Sequence, residues 1–123
     1  MKNVSFEVYA SAARTEAPTP QPLVNNHGNA GMFVFDITAV EPGASVQFAL
    51  EHKLKAAAAW EPLFVGNVEA GVVRRTYLIG IGLPEVAGVS KNTVLPENLR
   101  VTIRHFSGDS VTYSLDGALS SSS

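Results

Sequence analysis

The sequence predicts an all-β protein: an antiparallel β-sandwich or jelly-roll-like arrangement of six or seven short strands, with little or no helix. Apolar and polar residues alternate with period two in several segments, which places one set of side chains on a buried face. Proline and glycine separate these segments, and no segment combines a helical period with helix caps. The 123 residues include no cysteine, so we expect one domain, 1–123, whose core forms without disulfides.

The first two predicted strands cover residues 3–11 and 31–40. Residues 3–11 place their apolar side chains on one face: Val4, Phe6, Val8 and Ala10. Residues 31–40 place Phe33, Phe35 and Ile37 on one face. The opposite face begins with Met32 and Val34, so we expect a central strand that is partly covered on both sides.

The next elements follow a predicted turn at residues 41–44, Glu-Pro-Gly-Ala, with proline at its second position. Residues 45–51 form a strand with Val46, Phe48 and Leu50 inward, and we expect it to form a hairpin with strand 31–40. Residues 52–59 contain four alanines, which favour helix, but no capping residue begins one and a proline follows closely. This segment is therefore a loop or a single helical turn.

The second half of the chain predicts strands at 60–65 and 72–82, an irregular segment at 83–96 and a closing hairpin at 98–119. A loop of three or five residues centred near Gly108 or Asp109, or a bulge, would place Ile103 opposite Tyr113 or Leu115, matching apolar with apolar side chains. Gly117 is expected to end the last strand, and the serine tail 120–123 is expected to fray. The predicted core includes Phe33, Phe35, Phe48, Val101 and Ile103.

Residues 12–30 form the longest stretch without a regular period. Its prolines recur at every second position, which favours an extended backbone and excludes the interior of a sheet. A stretch this long in a small domain is usually functional or mobile. It either crosses between the two sheets of its own domain or forms an extended arm on a neighbouring subunit. In the second interpretation the partner-binding residues are Pro18, Pro20, Pro22, Leu23, Val24, Asn25 and Asn26.

Composition and charge argue against several classes of partner. The net charge is −2 with nine basic residues, and no basic run exceeds Arg74-Arg75, which argues against nucleic acid. No window reaches 18 apolar residues, and the N-terminal residues lack the apolar segment of a signal peptide, so we expect no membrane partner. Only 16% of residues are charged while 46% are hydrophobic. This balance indicates a surface partly covered by a partner or, alternatively, a compact β domain rich in alanine and valine.

No motif in the sequence indicates catalysis. His27, His52 and His105 have no metal-ligand spacing to another histidine or carboxylate. The Gly80-Ile81-Gly82 sequence lacks the third glycine and the following helix of a dinucleotide site, and no Gly-x-Ser-x-Gly motif occurs. We therefore predict no enzyme activity, no catalytic residue, no cofactor and no metal.

The aromatic residues allow two interpretations. Trp60 could form a sugar-stacking platform with Tyr9, Tyr77 and Tyr113. A single tryptophan followed by Glu-Pro-Leu-Phe is more typical of a core anchor in a sandwich, and we expect Trp60 in the core.

Several segments together resemble the small β-sandwich structural proteins of tailed bacteriophage virions. They are 94–101 (VLPENLRV), 112–119 (TYSLDGAL), the Asn/Gly-rich 25–31, and 46–48 (VQF), which precedes a lysine-containing loop and Trp60. The resemblance implies a capsid decoration (cement) protein, or a neck or tail component, present in symmetric copies. It also implies that the protein is located in the virion after assembly in the host cytoplasm.

Two hypotheses on function follow. The first is a non-enzymatic virion structural protein that binds the major capsid protein, or neck or tail proteins, and itself, as a homo-oligomer for which a trimer is favoured over a larger ring. The alternative is a carbohydrate-binding or host-recognition module of a tail appendage. An exposed aromatic platform around Trp60 favours the alternative, and a buried Trp60 favours the first.

Overall fold

The computed structural model describes residues 2–24, 30–53 and 59–121, and these residues confirm the predicted all-β sandwich. The described strands are β1 (Lys2–Arg14), β2 (Gln21–Val24), β3 (Ala30–Val40), β4 (Val46–His52), β5 (Glu61–Val65), β6 (Val73–Gly80), β7 (Ser90–Lys91), β8 (Asn98–His105) and β9 (Val111–Ser121). One sheet has the order β1-β9-β3-β6-β7 and the other the order β2-β8-β4-β5. Residues 54–58, where a loop or helical turn was predicted, lie outside the described part.

The topology is that of a jelly roll. β1 pairs with β9, β2 with β8, β3 with β6 and β4 with β5, all antiparallel. These nested pairs correspond to one long hairpin folded over into two packed sheets. The two-residue β7 departs from the nesting and runs parallel to β6 at the sheet edge.

The two hairpins predicted from the sequence are wrong. β3 and β4 lie in different sheets, and so do β8 and β9. The short segments between them carry the chain across the core, so their apolar faces meet between the sheets instead of pairing side by side. Within its own sheet, Ile103 lies opposite Phe48, and Leu115 lies opposite Phe35.

The predicted turn at 41–44 is confirmed, although it joins two sheets. The Ala44 amide donates a hydrogen bond to the Glu41 carbonyl at 3.1 Å, and Gly43 has a φ of +86°. This is the geometry of a type II turn, which takes proline at its second position and glycine at its third.

The core lies between the two sheets and contains all five residues predicted for it. Phe33, Phe35, Phe48, Val101 and Ile103 are fully buried. An aromatic cluster forms its centre, where the Phe48 ring stacks on Tyr77 with centroids 4.6 Å apart.

Two local features of β1 and β9 differ from the prediction. The prediction that Gly117 ends the last strand is wrong, because β9 continues through Gly117 to Ser121. A Cβ at position 117 would lie 2.7 Å from the Phe6 ring, so the glycine leaves room for that ring. β1 has register shifts between Glu7 and Tyr9 and between Tyr9 and Ala12. These shifts bring Tyr9 into the core, although simple alternation places it on the face opposite Phe6.

Candidate interaction surfaces

The segment predicted as an arm, 12–30, crosses between the two sheets of its own domain where the structure describes it. Residues 12–14 continue β1, and Gln21–Val24 form β2, which pairs with β8. The Tyr9 hydroxyl donates a 2.8 Å hydrogen bond to the carbonyl of Thr19, which holds the crossing against the core. Residues 12–24 therefore follow the first of the two interpretations, the crossing between the sheets.

The predicted partner-binding residues occupy different environments. Leu23 packs against the core, so this side chain is not a free anchor. Pro18 and Pro20 are half-buried, Pro22 is exposed on β2, and Val24 ends that strand. Asn25 and Asn26 lie outside the described residues. The role of this segment in partner binding stays a prediction.

The sheet edges are poorly suited to pairing with a strand of another subunit. β2 and β5 contain Pro22 and Pro62, β7 has two residues, and β1 carries two register shifts. Prolines, bulges and short length are the features that protect sheet edges from association. The faces of the sandwich are therefore the better candidates for a protein interface.

The outer face of the five-stranded sheet combines exposed apolar side chains with acidic ones. Met32 on β3 lies between Ala118 and Leu78 in the cross-strand register, and Met32 and Leu78 are 43% and 39% exposed. In the next row, Glu7 lies directly opposite Asp116, which neighbours Val34. We call Glu7, Met32, Val34, Leu78 and Asp116 the acidic face.

The charges of the acidic face are uncompensated. Within residues 2–24, 30–53 and 59–121, neither Glu7 nor Asp116 forms an ion pair. The neighbouring row places Asp36 opposite Arg74, so opposite charges meet there. Like charges directly opposite each other destabilise a sheet, so the fold itself gains nothing from the Glu7–Asp116 pair.

The outer face of the four-stranded sheet carries cations around Trp60. Arg100 Nε lies 2.6 Å from Glu51 Oε1, and its guanidinium lies 4.7 Å from the centroid of the Trp60 ring. Lys53 Nζ lies 5.7 Å from the same centroid. Arg104 on β8 donates a hydrogen bond to the side-chain oxygen of Gln47. We call Lys53, Trp60, Arg100 and Arg104 the basic face.

The prediction that Trp60 is a core anchor is wrong. Trp60 is half-buried and lies against Arg100 and Lys53, while Phe64 of β5 reaches the core instead. Tyr9, Tyr77 and Tyr113 are buried between the sheets, so they form no platform with Trp60.

A polar cluster closes one end of the sandwich. His105 Nε2 lies 2.9 Å from the Tyr113 hydroxyl, and Arg14 lies 4.6 Å from the Tyr113 ring centroid and donates to the Tyr113 carbonyl. Burial, together with the Arg14 charge, lowers the pKa of His105, and burial raises the pKa of Tyr113. These contacts tie β1, β8 and β9 together, so we assign the cluster to structure.

A second polar group lies on β6. Arg75 Nε lies 2.9 Å from the Glu69 carboxylate, and Glu69 is buried. The Tyr77 hydroxyl is buried without a hydrogen-bond partner among the described residues, and burial raises the pKa of Tyr77 to about 12.

Comparison with protein families, with curated proteins and with solved structures finds no match. The described residues contain no group of three or more histidines, aspartates or glutamates that could hold a metal ion. The same residues contain no helix long and apolar enough to cross a membrane.

Proposed function

We propose that the protein is a non-enzymatic structural protein of a virion, a capsid decoration (cement) protein that binds capsid subunits and further copies of itself. One observation carries this proposal: the acidic face presents exposed Met32 and Leu78 beside Glu7 and Asp116, which have no partner among the described residues. An exposed apolar patch bordered by polar residues is typical of a protein interaction site.

The jelly roll supports this proposal at the level of fold alone. Viral capsid proteins and lectins both use jelly rolls, so the topology is compatible with either hypothesis. The choice between them therefore depends on which surfaces the domain exposes.

The alternative is a carbohydrate-binding module of a tail appendage, favoured by the partial exposure of Trp60. Sugar binding uses a free aromatic surface, whereas the Trp60 ring is already contacted by Arg100 and Lys53. Protein binding is the better-supported function because the acidic face needs no rearrangement to accept a partner.

Purification of virions from cells that express an epitope-tagged copy tests the proposal. The tagged protein is expected to remain with the particles through a density gradient, at a copy number that is a multiple of a capsid or tail symmetry. Loss of the protein from intact particles would contradict it. Binding to immobilised glycans that is abolished by Trp60→Ala would favour the alternative.

A further inference from the structure

We infer that the copies associate head to tail, with the acidic face of one copy against the basic face of the next. This inference rests on the proposed function because it names the surfaces through which the protein binds itself. Two opposite outer faces of the same domain carry complementary charge, and each has apolar or aromatic side chains beside that charge.

The charges on the outward-facing strand positions have opposite signs on the two faces. On the five-stranded sheet, Glu7, Asp36 and Asp116 outweigh Arg74, which leaves −2. On the four-stranded sheet, Arg100 and Arg104 outweigh Glu51, which leaves +1, and Lys53 directly follows β4 beside them. Complementary potentials of this kind set the orientation and the association rate of an interface.

The side chains beside these charges are suited to an interface. Trp60 and Arg100 belong to the residue types that contribute most to binding energy in protein interfaces. On the acidic face, Met32 is a flexible apolar side chain that adapts to an irregular partner surface. Met32 and Leu78 of one copy placed against the basic face of the next would bury apolar surface that the free protein exposes.

The size of the faces predicts weak association in solution. The four strands of the smaller sheet are about 4.8 Å apart and about six residues long, which at about 3.3 Å per residue gives a face of roughly 380 Å². Ala49 and Glu51 on this face are already buried, so less than this area is free. A stable interface buries about 800 Å² on each partner. The contact should therefore form at high protein concentration and be reinforced where copies are held together on a particle.

The geometry also predicts the kind of assembly. The two faces lie on opposite sides of one sandwich and point in opposite directions. Head-to-tail contacts between them give an open stack or a ring of many copies rather than a closed trimer.

Reciprocal charge reversal tests this inference. Glu7→Lys with Asp116→Lys reverses the acidic face, and Lys53→Glu with Arg104→Glu reverses the basic face. Sedimentation velocity over a concentration series should show that the natural protein forms dimers and larger species. Each variant alone should associate roughly tenfold more weakly or not at all, because it brings like charges together.

The mixture of the two variants gives the decisive result. Each face of one variant is complementary to the opposite face of the other, so the 1:1 mixture should regain the association that both variants lost. A matched control, Glu16→Lys with Asp109→Lys, places the same charge change on exposed residues of two connecting segments and should leave association unchanged. Circular dichroism and thermal melting confirm that every variant is folded.

Three results would overturn the inference. The natural protein could remain monomeric at all concentrations, association could persist in both reversed variants, or the mixture could fail to recover. A monomer that still co-purifies with virions would overturn head-to-tail association and leave the proposed function standing. If reversal of the acidic face then released that monomer from virions, the partner of this face would be a capsid subunit.

Discussion

Truncation of Phe48 tests the centre of the core. The Phe48 side chain is fully buried, and its ring contacts Tyr77, Phe33 and Phe64 with centroid distances of 4.6, 5.4 and 6.1 Å. Removing a buried phenylalanine ring costs about 3 to 5 kcal/mol, through lost transfer free energy and the cavity that remains. Each aromatic pair adds about 0.5 to 1.5 kcal/mol to this cost. We therefore expect Phe48→Ala to lower the free energy of unfolding by about 4 to 5 kcal/mol, the upper end of the range for a buried phenylalanine.

Urea unfolding followed by circular dichroism measures this loss. With a slope of about 2 kcal/mol per molar urea, the midpoint should fall by roughly 2 M. Phe106→Ala is the matched control because Phe106 is 54% exposed, and it should change the free energy of unfolding by less than about 0.5 kcal/mol. A loss below about 1 kcal/mol for Phe48→Ala, or equal losses for both variants, would refute the assignment of Phe48 to the core.

Three further predictions use the same unfolding assay. Gly117→Ala places a Cβ 2.7 Å from the Phe6 ring and should lower the free energy of unfolding by about 1 to 3 kcal/mol. The control Gly71→Ala, whose Cβ would have no atom within 4 Å, should not destabilise the protein. Equal effects of the two variants would contradict the close packing of Gly117 against Phe6. Tyr77→Phe removes a buried hydroxyl that has no hydrogen-bond partner among the described residues, so the free energy of unfolding should stay constant or rise by up to about 1 kcal/mol. A clear decrease would show that this hydroxyl has a hydrogen-bond partner. The pKa of His105 is lowered in the folded state, so below about pH 6.5 the unfolded chain binds more protons than the folded one and the free energy of unfolding should decrease as the pH falls. In His105→Gln this part of the pH dependence should disappear. An unchanged dependence of the unfolding free energy on pH in that variant would refute the role of His105.

The sequence predicted the strands and the core well because both depend on local alternation. Phe33, Phe35 and Phe48 lie on the inner faces expected from period two. Alternation assigns a residue to a face of its strand, but it does not say which strand lies beside it. The prediction for Ile103 was therefore correct on burial in the core and wrong on its partner, which is Phe48 in the same sheet and neither Tyr113 nor Leu115.

The interaction surfaces were harder to predict because they depend on distant residues. Glu7 and Asp116 become neighbours only when the first and last long strands pair, and no local pattern indicates that pairing. Trp60 is separated from Arg100 by 40 positions in the sequence, and their contact depends on how the chain enters β5. The prolines of the 12–30 segment were recognised, but the pairing of β2 with β8 within the domain was not.

Photocrosslinking from the acidic face tests most directly whether the protein acts by binding other virion proteins. Met32 is replaced by photoreactive benzoylphenylalanine, and virions that contain this variant are irradiated and analysed by mass spectrometry. The control carries the same group at Ile81, which is 69% exposed and lies outside both faces. We predict a covalent adduct from position 32 to a capsid subunit or to the basic face of a second copy, and little from position 81. No adduct at position 32, or equal adducts from both positions, would contradict the account.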